Sequence, residues 1–228
     1  MALAHSPRIV TDGLVLCLDA GNAKSYPGSG TSWSDLSGQG NNGTLENGVG
    51  YNGSNLGSLS FDGVNDYING VHNAQTNITG DITIECWFRV TNTRSDWVRV
   101  FGKGDGGDNR TVGLWYNQLT STFLYQRYST PSNLNVSYSS TVSLNTWYHM
   151  VGTSSGTNHN LYLNNVVRST VTLNPTTFNS TTDPYKVGYG NVHTYHIGNV
   201  SNCRLYNRAL TASEVQQNFN ATRSRFGI

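Results

Sequence analysis

Hydrolysis of a glycosidic bond needs two carboxyl groups about 5–10 Å apart across the sugar. The acids of this chain do not come in such pairs. The cleanest strand pattern, Ile82 to Val90, carries Glu85 with no acidic partner two residues away. A lone outward Glu reads as a solvated strand residue, so the chain reads as catalytically silent and not an enzyme. His193-Thr194-Tyr195-His196 has a spacing that could hold a metal, but no Cys or third His stands near it, and a turn explains it better. His149, two residues after Trp147, reads as a packed residue at the core edge. Gly102-Lys103-Gly104-Asp105 lacks the downstream Lys-Ser/Thr of a phosphate-binding loop, and no Gly-x-Ser-x-Gly elbow occurs.

Two loops collect oxygen donors: Asp62, Asn65 and Asp66 in one, Asp105, Asp108 and Asn109 in the other. Calcium takes about six to eight oxygens, and each cluster could supply three. Asp and Asn are also ordinary turn formers, which is the preferred reading in a chain with only 13 acids. Trp97, Tyr116, Tyr125, Arg127, Tyr128 and Tyr138 could form an exposed aromatic surface. Such a surface would stack a glycan or meet a partner protein. Cross-strand packing would use the same residues with no ligand at all.

These residues need strands to hold them. In Ile82–Val90, Ile82, Ile84, Cys86, Phe88 and Val90 share one face, which is core. Trp87 falls on the polar face and calls for a covering loop. Val98-Arg99-Val100 alternates and is expected to pair with that strand. Residues 110–117 and 122–129 form a hairpin around Gln118–Ser121. Val112, Leu114 and Tyr116 alternate against Gly113, Trp115 and Asn117, and Phe123, Tyr125 and Arg127 against Leu124, Gln126 and Tyr128. Residues 21–42 make a long loop pinned by Trp33 and Leu36. Thr211 and Glu214 form a capping box, with Leu210 and Val215 as its hydrophobic staple. A short helix is therefore expected to about Ala221.

Composition agrees with a loop-rich β protein: 12% charged residues, 25 Gly and 13 Tyr. A net charge of +1 argues against a nucleic-acid binder and against a polybasic membrane-surface protein. No apolar run reaches the ~20 residues of a membrane-spanning helix. The start, Met1 to His5, lacks the pattern of a secretion signal. Cys17, Cys86 and Cys203 each sit in an apolar run without CxxC spacing, so buried free thiols in a reducing compartment are expected.

Four phrases carry a family resemblance. Leu59-Ser60-Phe61-Asp62-Gly63-Val64-Asn65-Asp66-Tyr67-Ile68 is similar to the strand–turn–strand signature of laminin-G-like domains in the concanavalin A-like lectin/glucanase superfamily. Leu18-Asp19-Ala20-Gly21-Asn22 followed by Trp33-Ser34-Asp35-Leu36-Ser37-Gly38 resembles their entry segment. Trp147-Tyr148-His149 with Leu161-Tyr162-Leu163-Asn164-Asn165 resembles a third phrase, with Asn165 where Gly is usual. Tyr206-Asn207-Arg208-Ala209-Leu210 resembles the family ending.

The resemblance implies an all-β, two-sheet antiparallel jelly-roll sandwich with one short C-terminal helix. The domain would span 13–222, between an arm at 1–12 and a tail at 223–228. Domains of this family often carry a calcium ion between rim loops, so the resemblance allows calcium as a cofactor; the glucanases of this fold carry a strand motif of paired acids, Glu-x-Asp-x-x-Glu or closely related, and nothing in this chain matches it. The wording of the motifs resembles virion proteins of tailed bacteriophages. From this the expected function is a non-enzymatic virion component decorating capsid, neck or tail. Its partners would be other virion proteins, further copies of itself through exposed edge strands, and host-surface glycans. The alternative is a carbohydrate-binding adhesin module at a bacterial cell surface.

Overall fold

A computed structural model describes residues 7–105, 109–130, 133–174, 177–189 and 194–228. In chain order the strands are β1 (Leu14–Asp19), β2 (Ser32–Trp33), β3 (Gly43–Glu46), β4 (Gly50–Asn52), β5 (Ser58–Asp62), β6 (Tyr67–Asn69), β7 (Ile82–Val90), β8 (Val98–Lys103) and β9 (Val112–Asn117). There follow β10 (Thr122–Arg127), β11 (Ser129–Thr130), β12 (Leu134–Ser139), β13 (Trp147–Ser155), β14 (Asn158–Leu163), β15 (Val166–Thr172), β16 (Thr177–Phe178), β17 (Tyr185–Val187) and β18 (Ile197–Tyr206). Helix α1 (Ala212–Thr222) and a 3₁₀ turn, Arg223–Phe226, close the chain.

The strands make two antiparallel sheets packed as a jelly-roll sandwich. The first runs β15-β14-β13-β7-β18-β5-β4, the second β12-β10-β9-β8-β17-β6-β3-β2. In the first, β18 pairs with β7 on one edge. On its other edge it meets β5 at its start and β1 at its end. The expected pairing of Val98–Val100 with Ile82–Val90 does not occur. Both edges of β7 are already taken by β13 and β18, so the chain crosses over and β8 joins β9 and β17 in the opposite sheet.

Period-two alternation decides what each strand buries. Ile84, Cys86, Phe88 and Val90 of β7 meet Leu114 and Tyr116 of β9 and Phe123 and Tyr125 of β10 in one core. The Phe88 and Tyr116 rings stack at 5.8 Å. The Asn164-Asn165 turn holds both residues at positive φ, 51° and 65°, which Asn tolerates and a two-residue hairpin requires. Trp33 is fully buried, whereas Leu36 is half-buried and anchored by its N–H to the Cys17 carbonyl at 2.8 Å.

The outer face of the first sheet is covered over its middle strands. Thr211 accepts from the Glu214 N–H and Glu214 reaches back, so α1 starts on the expected capping box. Val215 packs with Leu210, Tyr206, Tyr162, Val151 and Val10. Trp87 is covered by the C-terminal segment rather than by a loop: it stacks on Phe226 at 4.1 Å, His149 at 4.9 Å and Phe219 at 5.6 Å. Residues 223–226, beyond the expected domain limit of 222, therefore pack onto the sandwich through Phe226. Glu85 is also not solvated. It is fully buried beneath α1, where Arg204, His149 and the Asn218 amide all bond its carboxylate.

Candidate functional site

α1 covers the middle of the first sheet, while the outer face of the second sheet opens to solvent along β10 and β12, at Leu124, Gln126, Asn135 and Ser137. Inward residues Leu114, Tyr116, Phe123 and Tyr125 leave Trp115 of β9 and Leu124 and Gln126 of β10 pointing outward. Two glycines form the floor. Gly113 lies opposite Gly102. A Cβ on Gly113 would come within 2.5 Å of the Trp115 Nε1 and 3.0 Å of the Arg99 Cδ. Trp115 and the stem of Arg99 thus lie flat on backbone that carries no side chain.

On that floor stands a groove of about 240 Å³ lined by Trp97, Arg110, Trp115, Leu124, Gln126, Tyr128 and Asn133. A second hollow of about 400 Å³ shares Trp97, Leu124 and Gln126 with it and adds Thr122, Asn135 and Ser137. The Arg110 guanidinium lies 4.6 Å from the Tyr128 ring centre and 5.3 Å from that of Trp115. Gln126 donates to Asn135 at 2.6 Å, so the two amides are held in register across β10 and β12. Trp115 and Tyr128 are nearly buried, and Trp97 is the partly exposed ring. Burial pushes the Tyr128 phenol up, so it stays a neutral hydrogen-bonding group. Aromatic planes beside amides, hydroxyls and one guanidinium can stack the apolar face of a sugar ring and bond its hydroxyls. They offer no carboxylate pair to cleave it.

The sequence-predicted surface is split by the fold. Trp97 and Tyr128 line the groove. Tyr116 and Tyr125 do not: both are fully buried, because their face of the hairpin turns inward. Tyr125 donates to or accepts from Ser154 Oγ at 2.6 Å inside the sandwich. Arg127 is buried too, bonding the carbonyls of Gly80 and Ile78 and lying 3.7 Å from the Phe178 ring centre. Tyr138 packs against the core at the sheet edge with Arg168 over its ring. Trp115, Arg110, Leu124, Gln126, Asn133 and Asn135 were not singled out. The alternation in β9 and β10 contained three of them, but aromatics occupy both faces, so period alone does not choose.

The oxygen clusters serve the chain's own turns. Asp62 accepts the Val64 N–H at 2.8 Å and Asp66 accepts the Asp62 N–H at 3.0 Å. Burial raises the Asp66 carboxyl, and its Oδ1 alone lacks a partner. Asp105 is paired with Lys186 at 2.7 Å. Asn65 lends its backbone carbonyl to Asn47, and Asp108 lies outside the described residues. With donors spent on backbone N–H groups and on the Lys186 ammonium, the described residues of these two loops offer fewer free oxygens than the about six to eight that calcium takes. Among the described residues no three His, Cys, Asp or Glu side chains are grouped to hold a metal. His196 is enclosed between Phe61, Phe88 and Tyr116, while His193 lies outside the described residues. Cys17, Cys86 and Cys203 are buried free thiols, with Cys86 and Cys203 facing each other at 3.7 Å.

The model of a laminin-G-like family, described as the concanavalin A-like lectin/glucanases superfamily, matches residues 61–216, more than half of the chain. The chain belongs to that superfamily. No match was found among curated proteins. Among solved structures, the binding domain of Paraclostridial Mosquitocidal Protein 1 is 20% identical with a TM-score of 0.73, covering 92% of this chain and 52% of that one. Trypanosoma rangeli sialidase in complex with sialic acid is 17% identical with a TM-score of 0.69, covering 97% and 36%. Domain 4 of AbnA, a GH43 extracellular arabinanase from Geobacillus stearothermophilus, in complex with arabinotriose, is 15% identical with a TM-score of 0.70, covering 91% and 98%. At these identities the likeness is one of fold. This superfamily member spans about half of the first of those chains and about a third of the sialidase.

Proposed function

We propose that this domain is a non-catalytic carbohydrate-binding module that holds a glycan in the groove on the outer face of its second sheet. The observation that carries the reading is the groove itself: Trp97, Trp115 and Tyr128 set beside Gln126, Asn133 and Asn135 where the outer face opens along β10 and β12. The arabinanase domain carrying arabinotriose supports the same reading, since this chain matches nearly all of it. Glu85, sealed under α1 and salt-bridged to Arg204, is out of reach of any substrate. A place in a tailed-phage virion has only the wording of the sequence motifs behind it.

Titration calorimetry with arabinotriose and sialic acid, followed by a panel of plant and animal polysaccharides, tests it. Trp97→Ala should weaken the sugar that binds by about 30-fold, the worth of a ~2 kcal/mol contact, with an unchanged melting temperature. Binding that ignores Trp97, or no binding across the panel, would overturn the proposal.

A further inference from the structure

A second aromatic cluster lies on the same face, away from the groove. Tyr67 of β6 points outward, because its neighbour Ile68 is in the core. Lys186 of β17 points the same way between the core residues Tyr185 and Val187. Tyr67 and Tyr189 stand 5.4 Å apart, Tyr189 and Tyr195 5.5 Å, Tyr67 and Tyr195 6.3 Å. The Lys186 ammonium sits 4.3 Å from the Tyr189 ring centre and 5.1 Å from that of Tyr67. All three tyrosines are partly exposed. Burial pushes the Tyr67 and Tyr189 phenols up, helped by the Glu46 carboxylate at Tyr67 and the Asp105 carboxylate at Tyr189, so both present neutral hydroxyls.

Arg99 ties this cluster to the groove. Its guanidinium lies 5.6 Å from the Trp115 ring centre, and its Nε donates to the Tyr189 carbonyl at 2.9 Å. Arg99 is fully buried, so the two aromatic sets share one fixed support and keep their spacing without a ligand. From β9 to β6 the face crosses β8 and β17, three strand spacings or about 14 Å. A disaccharide does not cover that span and a tetrasaccharide does. The charge of Lys186 is met by Asp105 at 2.7 Å, so the cluster suits a neutral, hydroxyl-rich chain rather than a polyanion.

We propose that Tyr67, Tyr189 and Tyr195 form a second sugar subsite, and that the domain binds the interior of a neutral glycan chain laid across the second sheet rather than a single terminal sugar. This deepens the glycan reading and rests on it. Isothermal titration with arabino-, xylo- and galacto-oligosaccharide ladders, from disaccharide to octasaccharide, separates the two. The expected result is an affinity that rises about tenfold or more between disaccharide and tetrasaccharide, the worth of one well-packed aromatic contact, and then levels off. Tyr189→Ala and Tyr195→Ala, each checked by thermal melting, should remove that rise and leave disaccharide binding intact, while Trp97→Ala should weaken every length. In unmodified protein, tyrosine ring signals of this cluster should shift with the tetrasaccharide and not with the disaccharide. Equal affinity at all lengths, with no ring shifts, overturns the second subsite and leaves the groove standing. No binding by any ladder overturns both.

Discussion

Glu85 is held by groups from three other elements: Arg204 of β18, His149 of β13 and Asn218 of α1. Burial alone would raise its carboxyl; the Arg204 guanidinium and the His149 and Asn218 bonds more than offset that and hold it at about 2. Glu85→Gln leaves the Arg204 charge buried without its counter-charge. Urea unfolding should show a loss of about 3–5 kcal/mol, while glycan binding, on the opposite sheet, keeps its affinity. His196 has the other kind of environment. Burial among Phe61, Phe88 and Tyr116 depresses it to about 4, so it is neutral in the fold and takes a proton more readily when unfolded. Its contribution is complete above the ordinary imidazole value of 6.5 and is lost as pH falls from there through about 4. Stability measured by urea unfolding should therefore decline across that window. His196→Asn should flatten the decline, and an equal slope in the variant would remove His196 as its cause. Below the ordinary carboxylate value of 4.5, protonation of Glu85 adds a second decline that runs down through about 2.

At the scale of elements, the two sheets have been given different tasks by what covers them. α1 and the turn after it seat Asn218 and Val215 in the first sheet and stack Phe219 and Phe226 on Trp87. Strands β8 and β9 carry instead the Gly102–Gly113 floor on which Trp115 lies. Gly113→Ala should lift the Trp115 indole off that floor, because the new methyl and Nε1 cannot share a 2.5 Å gap. The expected outcome is a glycan affinity at least about tenfold lower, with altered tryptophan fluorescence. Unchanged fluorescence and affinity would mean that the indole does not rest where the structure places it.

Over the whole molecule, cohesion comes from one long core between the sheets and two smaller clusters under the C-terminal segment. Among the described residues no three His, Cys, Asp or Glu side chains are grouped to add a metal to that cohesion. Millimolar calcium should leave the melting temperature where chelator leaves it. A tightly held ion would instead stabilise the fold by about 2.7 kcal/mol at a hundred times its Kd, and a clear upward shift would reveal a cage that involves Asp108 or its neighbours.

The strands, the Asn164-Asn165 turn and the Thr211–Glu214 cap were legible in the chain because each depends on residues a few positions apart. The same holds for the four motif phrases and the sandwich they imply. The faces were not. Trp115 and Tyr116 are neighbours in one strand of alternating aromatics, and either could have been the one that faces the core between the sheets. The opposite sheet decided it, placing Phe88 and His196 against Tyr116 and leaving Trp115 to the groove. The burial of Glu85 was likewise decided by Arg204 and Asn218, 119 and 133 residues away. Local periodicity defines two faces of a strand, and only contacts between distant segments determine which face is sealed and which is left to bind.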